Sequence, residues 1–263
     1  MTRIAILSDL HFGFHRTTLV HALLHEVNET KPDFVVIAGD LTHRGQPDQY
    51  VAARQFLDGL DAPWGAIPGN HDVPLWPVTR RVLRPWSRWR RNISRGRAFA
   101  IDVGQVRVQG IDSVDRFAWQ RGVVPRGVIN RLLRNLSPQL MNLIVMHHPL
   151  EHLPGIDKFL ARGATQALNR LADAGAQIAV TGHLHLWSVG ELPDTGPQRL
   201  LQIQMGTALC NRPGDRRNEF CTLDIAGPDL TVTRHIAPMT QTGFLSPIPT
   251  NFTRIDGLWH RDH

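Results

Sequence analysis

Five short polar clusters each follow directly on an apolar run of strand length, and this recurrence constrains the fold more than any other feature of the chain. They are Asp9-Leu10-His11, Gly39-Asp40, Gly69-Asn70-His71-Asp72, His147-His148 and Gly182-His183-Leu184-His185. Side chains distant in sequence converge when each sits in the loop at the end of a strand. One aspartate at a strand end usually serves as a cap or turn residue, and one histidine as a satisfied polar group. Five clusters with the same placement call for a shared site.

The runs between them alternate in period. Residues 4–8 and Phe34–Ala38 read as buried strands, joined by a helix on Leu19, Leu23, Leu24 and Val27 that ends near Lys31-Pro32. Pro47 opens a second helix, Pro63 stops it, and Trp64–Ile67 starts another strand. Gly104-Gln105 between Ala98–Val103 and Val106–Ile111 predicts a hairpin. A helix over about Pro125–Leu136, a strand over Asn142–Met146, a helix over 157–173 and a strand over Gln177–Thr181 follow. The last third reads as strands at Trp187–Leu192, Leu200–Met205, Phe220–Ile225 and Leu230–Ile236. Residues 238–263 lack periodicity and are expected to form a peripheral tail after a domain spanning 1–237.

With 263 residues, 42% of them apolar and 20% charged, the chain has the profile of one large soluble domain. No apolar run reaches the roughly 18 residues of a spanning helix. Met1-Thr2-Arg3 leads straight into the first strand without a signal-like segment, so the expected location is the cytoplasm. Cys210 and Cys221 read as buried thiols. The net charge of +6 is carried almost wholly by arginine, Lys31 and Lys158 being the lysines. Arg80, Arg81, Arg84, Arg88, Arg90, Arg91, Arg95 and Arg97 crowd an insertion at about 74–97, interleaved with Trp76, Trp86 and Trp89. Two readings are open there: a solvated helical face whose tryptophans pack, or a docking surface for an anion.

Carboxylate, imidazole and amide donors without thiolate suit manganese, iron, zinc or cobalt. Seven such donors exceed the needs of one ion and divide into two ions sharing a carboxylate, whose two oxygens can span cations about 3.5 to 4 Å apart. The clusters, in this order, resemble the signature of the calcineurin-like metallophosphoesterase superfamily: Asp-x-His, Gly-Asp, Gly-Asn-His-Asp/Glu, His and Gly-His-x-His. The resemblance implies an α/β fold, a four-layer α-β-β-α sandwich of two mixed sheets flanked by helices. It also implies two divalent or mixed-valence metal ions, one held by Asp9, His11 and His185, the other by Asn70, His147 and His183, with Asp40 bridging. His147 is preferred to His148 because the family's ligand precedes a short x-Pro step, here His148-Pro149. The implied chemistry is in-line attack of metal-activated hydroxide on phosphorus. His71 matches the non-ligand histidine that protonates or stabilises the leaving oxygen, and Asp72 is expected to orient its ring.

Ser8–Gly13, Gly39–Gly45 and Gly206-Thr207-Ala208 resemble the bacterial cyclic-nucleotide phosphodiesterase branch, so the expected activity is that of a phosphodiesterase, with 3′,5′-cyclic nucleotides as one candidate substrate. Arg44 and His148 are the candidate contacts to an anionic phosphoester, and Thr207 a further residue for the site's lining. One alternative resembles the hydrolases of lipid A biosynthesis: a lipid-linked pyrophosphate cleaved at the inner membrane surface, with contact through Arg80–Arg97. Nucleic acid on the same basic segment ranks lower, since the repair-nuclease branch usually carries a further DNA-capping domain. A non-catalytic metal-binding interaction scaffold is the alternative of another class, and the intact donor set argues against it.

Overall fold

β1 (Thr2–Leu7) leads through a single 3-10 turn into α1 (Val20–Glu29), β2 (Phe34–Ala38), α2 (Pro47–Asp58) and β3 (Trp64–Ile67). The structure, a computed structural model, describes residues 1–153, 156, 158–192 and 199–262. β2 is buried at every position, as a central parallel strand covered on both faces must be. Pro47 occupies the first turn of α2, where its missing N–H costs no hydrogen bond. α3 (Val78–Leu83) and α4 (Ser87–Asn92) precede the hairpin of β4 (Phe99–Val103) and β5 (Val106–Gly110), which turns at Gly104 with φ +53°. There follow α5 (Arg126–Arg134), β6 (Met141–Val145), α6 (Ala164–Asp173), β7 (Ile178–Thr181), β8 (Ser188–Glu191), β9 (Leu201–Gln204), β10 (Arg217–Ala226), β11 (Asp229–Pro238), β12 (Ile248–Ile255) and β13 (Leu258–Arg261).

These strands make two mixed sheets, ordered β13-β12-β11-β10-β1-β2-β3 and β4-β5-β6-β7-β9-β8. β1, β2 and β3 run parallel in the first, and β5, β6, β7 and β9 in the second. Alternate side chains of both sheets, among them Ile4, Ile6 and Val36 against Val108, Val145 and Val180, fill one core between them. The outer face of the first sheet packs on α1, α2 and the Trp86–Trp89 segment. That of the second packs on α5 and α6 through Ile129, Leu132, Leu168 and Leu171. The arrangement is the expected α-β-β-α sandwich. Among the described residues no helix is long and apolar enough to cross a membrane.

Two expectations change, and one open choice is decided. The helix expected over 157–173 starts only at Ala164, because Arg162 is committed to backbone pairing: its N–H donates to Gly122 and its carbonyl accepts from Val124. Residue 157 lies outside the described residues. The stretch expected as an aperiodic tail builds β12 and β13, each contributing one large core residue, Phe252 and Trp259. One buried residue per strand leaves too weak an alternation to read. In the arginine-rich insertion, Trp86 and Trp89 are core residues, so for them the packing reading holds. The Trp89 indole N–H donates to Gly96 O at 2.8 Å, and the Arg97 guanidinium lies 4.5 Å from the Trp86 ring while pairing with Asp112 at 2.7 Å. Both cysteines are buried and free.

Trp89 thereby becomes the test of this segment. Trp89→Ala is expected to cost about 3–5 kcal/mol in denaturant unfolding, whereas a docking tryptophan could be truncated with little effect on stability.

Candidate metal centre

The expected site residues all emerge at the C-terminal ends of parallel strands: Asp9 and His11 after β1, Asp40 after β2, Asn70 after β3, His147 after β6, His183 and His185 after β7. Five of them have left-handed backbones: Asp9 (φ 55°), His11 (49°), Asp40 (51°), His183 (72°) and His185 (58°). A strand would point successive side chains to opposite faces. A left-handed residue just past its end breaks that alternation and turns the side chain across the strand ends. Asp and His tolerate this region better than branched residues do, which suits these types to these positions.

The side chains converge closely. Asp40 Oδ2 lies 3.3 Å from His147 Nε2 and 3.6 Å from His11 Nε2, while Asp40 Oδ1 accepts from the His71 backbone N–H at 2.8 Å. Asp9 Oδ2 accepts from Ser8 Oγ (2.6 Å) and His183 N (3.1 Å), leaving Oδ1 3.2 Å from His185 Nε2 and 3.5 Å from His11 Nε2. Asn70 Oδ1 accepts from His183 Nδ1 at 3.0 Å, and His11 and His185 bring their Nε2 atoms within 3.2 Å of each other. His147 Nδ1 is 2.9 Å from Ala38 O, which can only accept, so this hydrogen bond turns Nε2 toward Asp40.

Glycines make the approach possible. A Cβ on Gly69 would fall 2.1 Å from Asp40 Oδ1, and one on Gly39 2.5 Å from His147 Nδ1. Gly69 has φ −105°, open to any residue, so its requirement is purely steric.

Burial alone would raise both carboxylates and lower all the imidazoles. Burial is outweighed at Asp9 by His185 and His11, and at Asp40 by His147 and His71, so that both stay well below the usual carboxylate range. The reciprocal effect lifts His147 to about 9 and His185 to about 11 despite burial. His11 and His183, where burial dominates, fall to about 4 and about 3. Within this set Asp9 Oδ1, His11 Nδ1 and His147 Nε2 are buried with no hydrogen-bond partner among the described residues. Hard carboxylate and borderline imidazole donors, with orphaned atoms aimed inward, fit divalent cations. The tightest candidate groups are Asp9, Asp40 and His147; His11, His185 and Cys210; and His11, His43 and His71.

Two expected roles differ in the structure. Asp72 does not touch the His71 ring: it accepts from Leu41 N, Thr42 N, Thr42 Oγ1 and Gly69 N at 2.8–3.2 Å, stitching the Asp40 loop to the Asn70 turn. Burial and then the nearby Asp40 raise it to about 7. The His71 ring is held instead by His43 O, 2.6 Å from Nδ1, and by Arg212 Nη2, 3.0 Å from Nε2. His148, expected to touch substrate, is 1% exposed and bonded through Nδ1 to Ser113 Oγ at 2.8 Å; its bulk packs behind His147 and His183. Arg44 is exposed and lines a cavity of about 210 Å³ with His43, Asn70, His71 and Trp119. Thr207 is buried, with Oγ1 donating to Asp9 O at 2.7 Å.

The sequence reading missed His43, stacked on His71 with ring centroids 5.4 Å apart, and Asp215, 3.5 Å from His185 Nδ1. It also missed Arg212 and placed Cys210 only as a core thiol. His43 had a readable signal, standing three residues after Asp40; Arg212 and Asp215 had only their closeness to the Gly206-Thr207-Ala208 block.

Residues 2–186 match the sequence model of the family described as calcineurin-like phosphoesterase. A glycerophosphodiester phosphodiesterase, GpdQ, of Enterobacter lignolyticus is 30% identical over 159 residues, covering 56% of this chain and 56% of its own length. A probable cyclic nucleotide phosphodiesterase of Synechococcus is 28% identical over 201 residues, 69% of this chain and 72% of that one. The chain thus spans little more than half the length of the first curated relatives it matches. Among solved structures, purple acid phosphatase PPD1 of yellow lupin superposes with a TM-score of 0.66 at 14% identity, over 94% of this chain and 53% of that one. Vacuolar protein sorting 29 of Cryptosporidium parvum gives 0.54 at 14% identity, over 96% and 98%. At such identities the likeness concerns the fold.

Gly69→Ala isolates the role of close approach. It is expected to push Asp40 from its place and lower the content of tightly held manganese or zinc at least about tenfold, measured by elemental analysis after desalting. Gly127→Ala, where an added Cβ meets nothing within 4 Å, is expected to leave metal content unchanged.

Proposed function

Because the chain belongs to the calcineurin-like phosphoesterase family, we propose that it is a metal-dependent phosphodiesterase whose centre holds two cations, Asp9, His11 and His185 around one, Asn70, His147 and His183 around the other, and Asp40 between them. The observation that carries the two-cation reading is the position of Asp40 Oδ2, within 3.6 Å of imidazole nitrogens from both groups. Cations bound there would lower the pKa of a water and offset charge building on the phosphoryl oxygens. The protein's own part is to hold the donors rigid from strand ends, keep Asp40 ionised, and present His71 beside Asn70 for the leaving oxygen. Phosphodiester, and a cyclic nucleotide within that class, is the substrate reading favoured by the relatives, a glycerophosphodiester phosphodiesterase and a probable cyclic nucleotide phosphodiesterase.

A second reading, a lipid-linked phosphoester cleaved at a membrane surface, draws on one observation. Phe117, Trp119 and Phe159 are 53–78% exposed, and each stacks with an arginine: Arg116 on Phe117, Arg81 on Trp119, Arg121 on Phe159. Trp119 O accepts from Asn70 Nδ2 at 3.3 Å, which ties this surface to the cleft. Exposed aromatics with cations suit an anionic lipid interface.

For the first reading, metal-stripped protein resupplied with manganese, iron, zinc or cobalt is expected to hydrolyse bis(p-nitrophenyl) phosphate faster than p-nitrophenyl phosphate. Asp40→Ala should abolish this, and His71→Ala should keep the metals yet lose about 10²–10⁴ in turnover of poor leaving groups. Absence of turnover with both cations bound would refute the hydrolase. For the second, co-sedimentation with phosphatidylglycerol vesicles should fall at least about tenfold in Phe117→Ser/Trp119→Ser/Phe159→Ser; no vesicle binding by the parent protein removes that reading.

A further inference from the structure

The loop from Thr207 to Asp215 lies beyond the stretch that carries the family match, yet it touches the centre at three points. Thr207 Oγ1 donates to Asp9 O at 2.7 Å, the Asp215 carboxylate is 3.5 Å from His185 Nδ1, and Arg212 Nη2 is 3.0 Å from His71 Nε2. The first two brace residues proposed as ligands. The third places a permanent cation against an atom proposed to act on the leaving group.

Both nitrogens of His71 are committed in this arrangement. Nδ1 is 2.6 Å from His43 O; a carbonyl only accepts, so Nδ1 carries the hydrogen. A guanidinium only donates, so Nε2 is the acceptor from Arg212. Nε2 is therefore covered by the cation and cannot meet a leaving oxygen until Arg212 moves. The backbone of Arg212 is anchored, its N–H donating to Asp215 Oδ2 at 3.3 Å and its carbonyl accepting from Asp215 N at 3.0 Å. Its guanidinium forms no ion pair with a carboxylate among the described residues, and the side chain is partly exposed. Lys158 stands close enough that its pKa is lowered, first by loss of hydration and then by the charge of Arg212. Two cations within each other's field favour an anion near both.

We propose that Arg212 is a substrate-binding residue: its guanidinium takes a non-bridging oxygen of the incoming phosphoryl group and in doing so uncovers His71 Nε2. The assignment rests on the phosphoesterase reading above. Arg212 keeps its protons throughout; one hydrogen bond to a neutral imidazole is exchanged for charge-assisted bonds to phosphate, which are the stronger kind. His71 Nε2, once uncovered, is open to water, from which the proton for the leaving oxygen must come, while its Nδ1–H stays on His43 O. The anion itself thus opens the route to the leaving-group residue, and a neutral ester would leave it closed.

Calorimetric titration of the metal-loaded protein with inorganic phosphate tests this without depending on turnover. Arg212→Ala is expected to weaken phosphate binding about 10- to 100-fold with metal content unchanged. Arg212→Gln, which keeps a donor for His71 but no charge, should show the same loss, and Arg212→Lys should recover part of it. With bis(p-nitrophenyl) phosphate the KM should rise by a similar factor in Arg212→Ala, and added guanidinium ion should lower it again. Phosphate affinity in Arg212→Gln within about twofold of the parent would overturn the assignment, as would a metal-loaded parent that binds no phosphate. Phosphate bound through Arg212 without turnover of any phosphoester would instead leave Arg212 standing and remove the hydrolase.

Discussion

Asp9 and Asp40 are ionised carboxylates buried at the ends of adjacent parallel strands, and their burial dictates what must surround them. Withdrawing such groups from water costs several kcal/mol each unless opposite charge and hydrogen bonds replace the lost hydration. One oxygen of each is satisfied by a backbone N–H, from His183 for Asp9 and from His71 for Asp40. The other oxygen of each looks into a ring of imidazoles. Without cations, the carboxylates raise His147 and His185, which supply the balancing charge, while burial keeps His11 and His183 low. The proposed cations would replace that protonic charge with fixed charge, since the same nitrogens cannot hold a proton and a metal at once.

The same end of the sandwich concentrates backbone strain. A non-glycine residue held in a sparsely populated region costs of order 1–3 kcal/mol, and five of the proposed ligands are left-handed. What holds them is the strand behind each: Ile4–Leu7, Phe34–Ala38 and Ile178–Thr181 are almost fully buried and paired on both sides. Asp72 adds a cross-link at the level of the turn, since its four hydrogen bonds join the residues after Asp40 to those around Asn70. It is a brace between two donors, a role its place in the motif did not reveal.

How far the sequence could be read follows from how local each signal is. Buried parallel strands are continuous apolar runs, so β2, β6 and β7 were visible at once, and with them the clusters at their ends. β12 and β13 were not visible, because each buries one residue and leaves the rest half-buried or exposed. The start of α6 was misjudged because a tertiary backbone pairing at Arg162 overrides helical periodicity. In the site, donors at motif spacing were legible, but the second partner of each ring was not: Ser113 behind His148, His43 and Arg212 on His71, and Asp215 on His185 all arrive through long-range packing. The arginine-rich insertion was ambiguous for another reason, since tryptophans three apart are the same sequence whether they face lipid or core; Trp86 and Trp89 face the core.

This division bears on substrate choice. Every proposed ligand lies within residues 2–186, on strand ends whose positions are set by the two-sheet core, so the core accounts for the chemistry and is indifferent to the ester. The groups able to touch what the ester carries come from elsewhere: Arg44 from the loop before α2, Trp119 from the connection between β5 and α5, Arg212 from the loop before β10. Two of these are cations and the third is an exposed indole stacked on Arg81. Arg44 and Trp119 line one cavity with Asn70 and His71, so both stand on its wall beside the histidine proposed to serve the leaving oxygen. An indole offers a face on which a flat group can stack and a small polar alcohol cannot. Trp119 and its loop can therefore vary with the strand ends left in place, the hydrogen bond from the Asn70 amide to Trp119 O linking them to a proposed ligand.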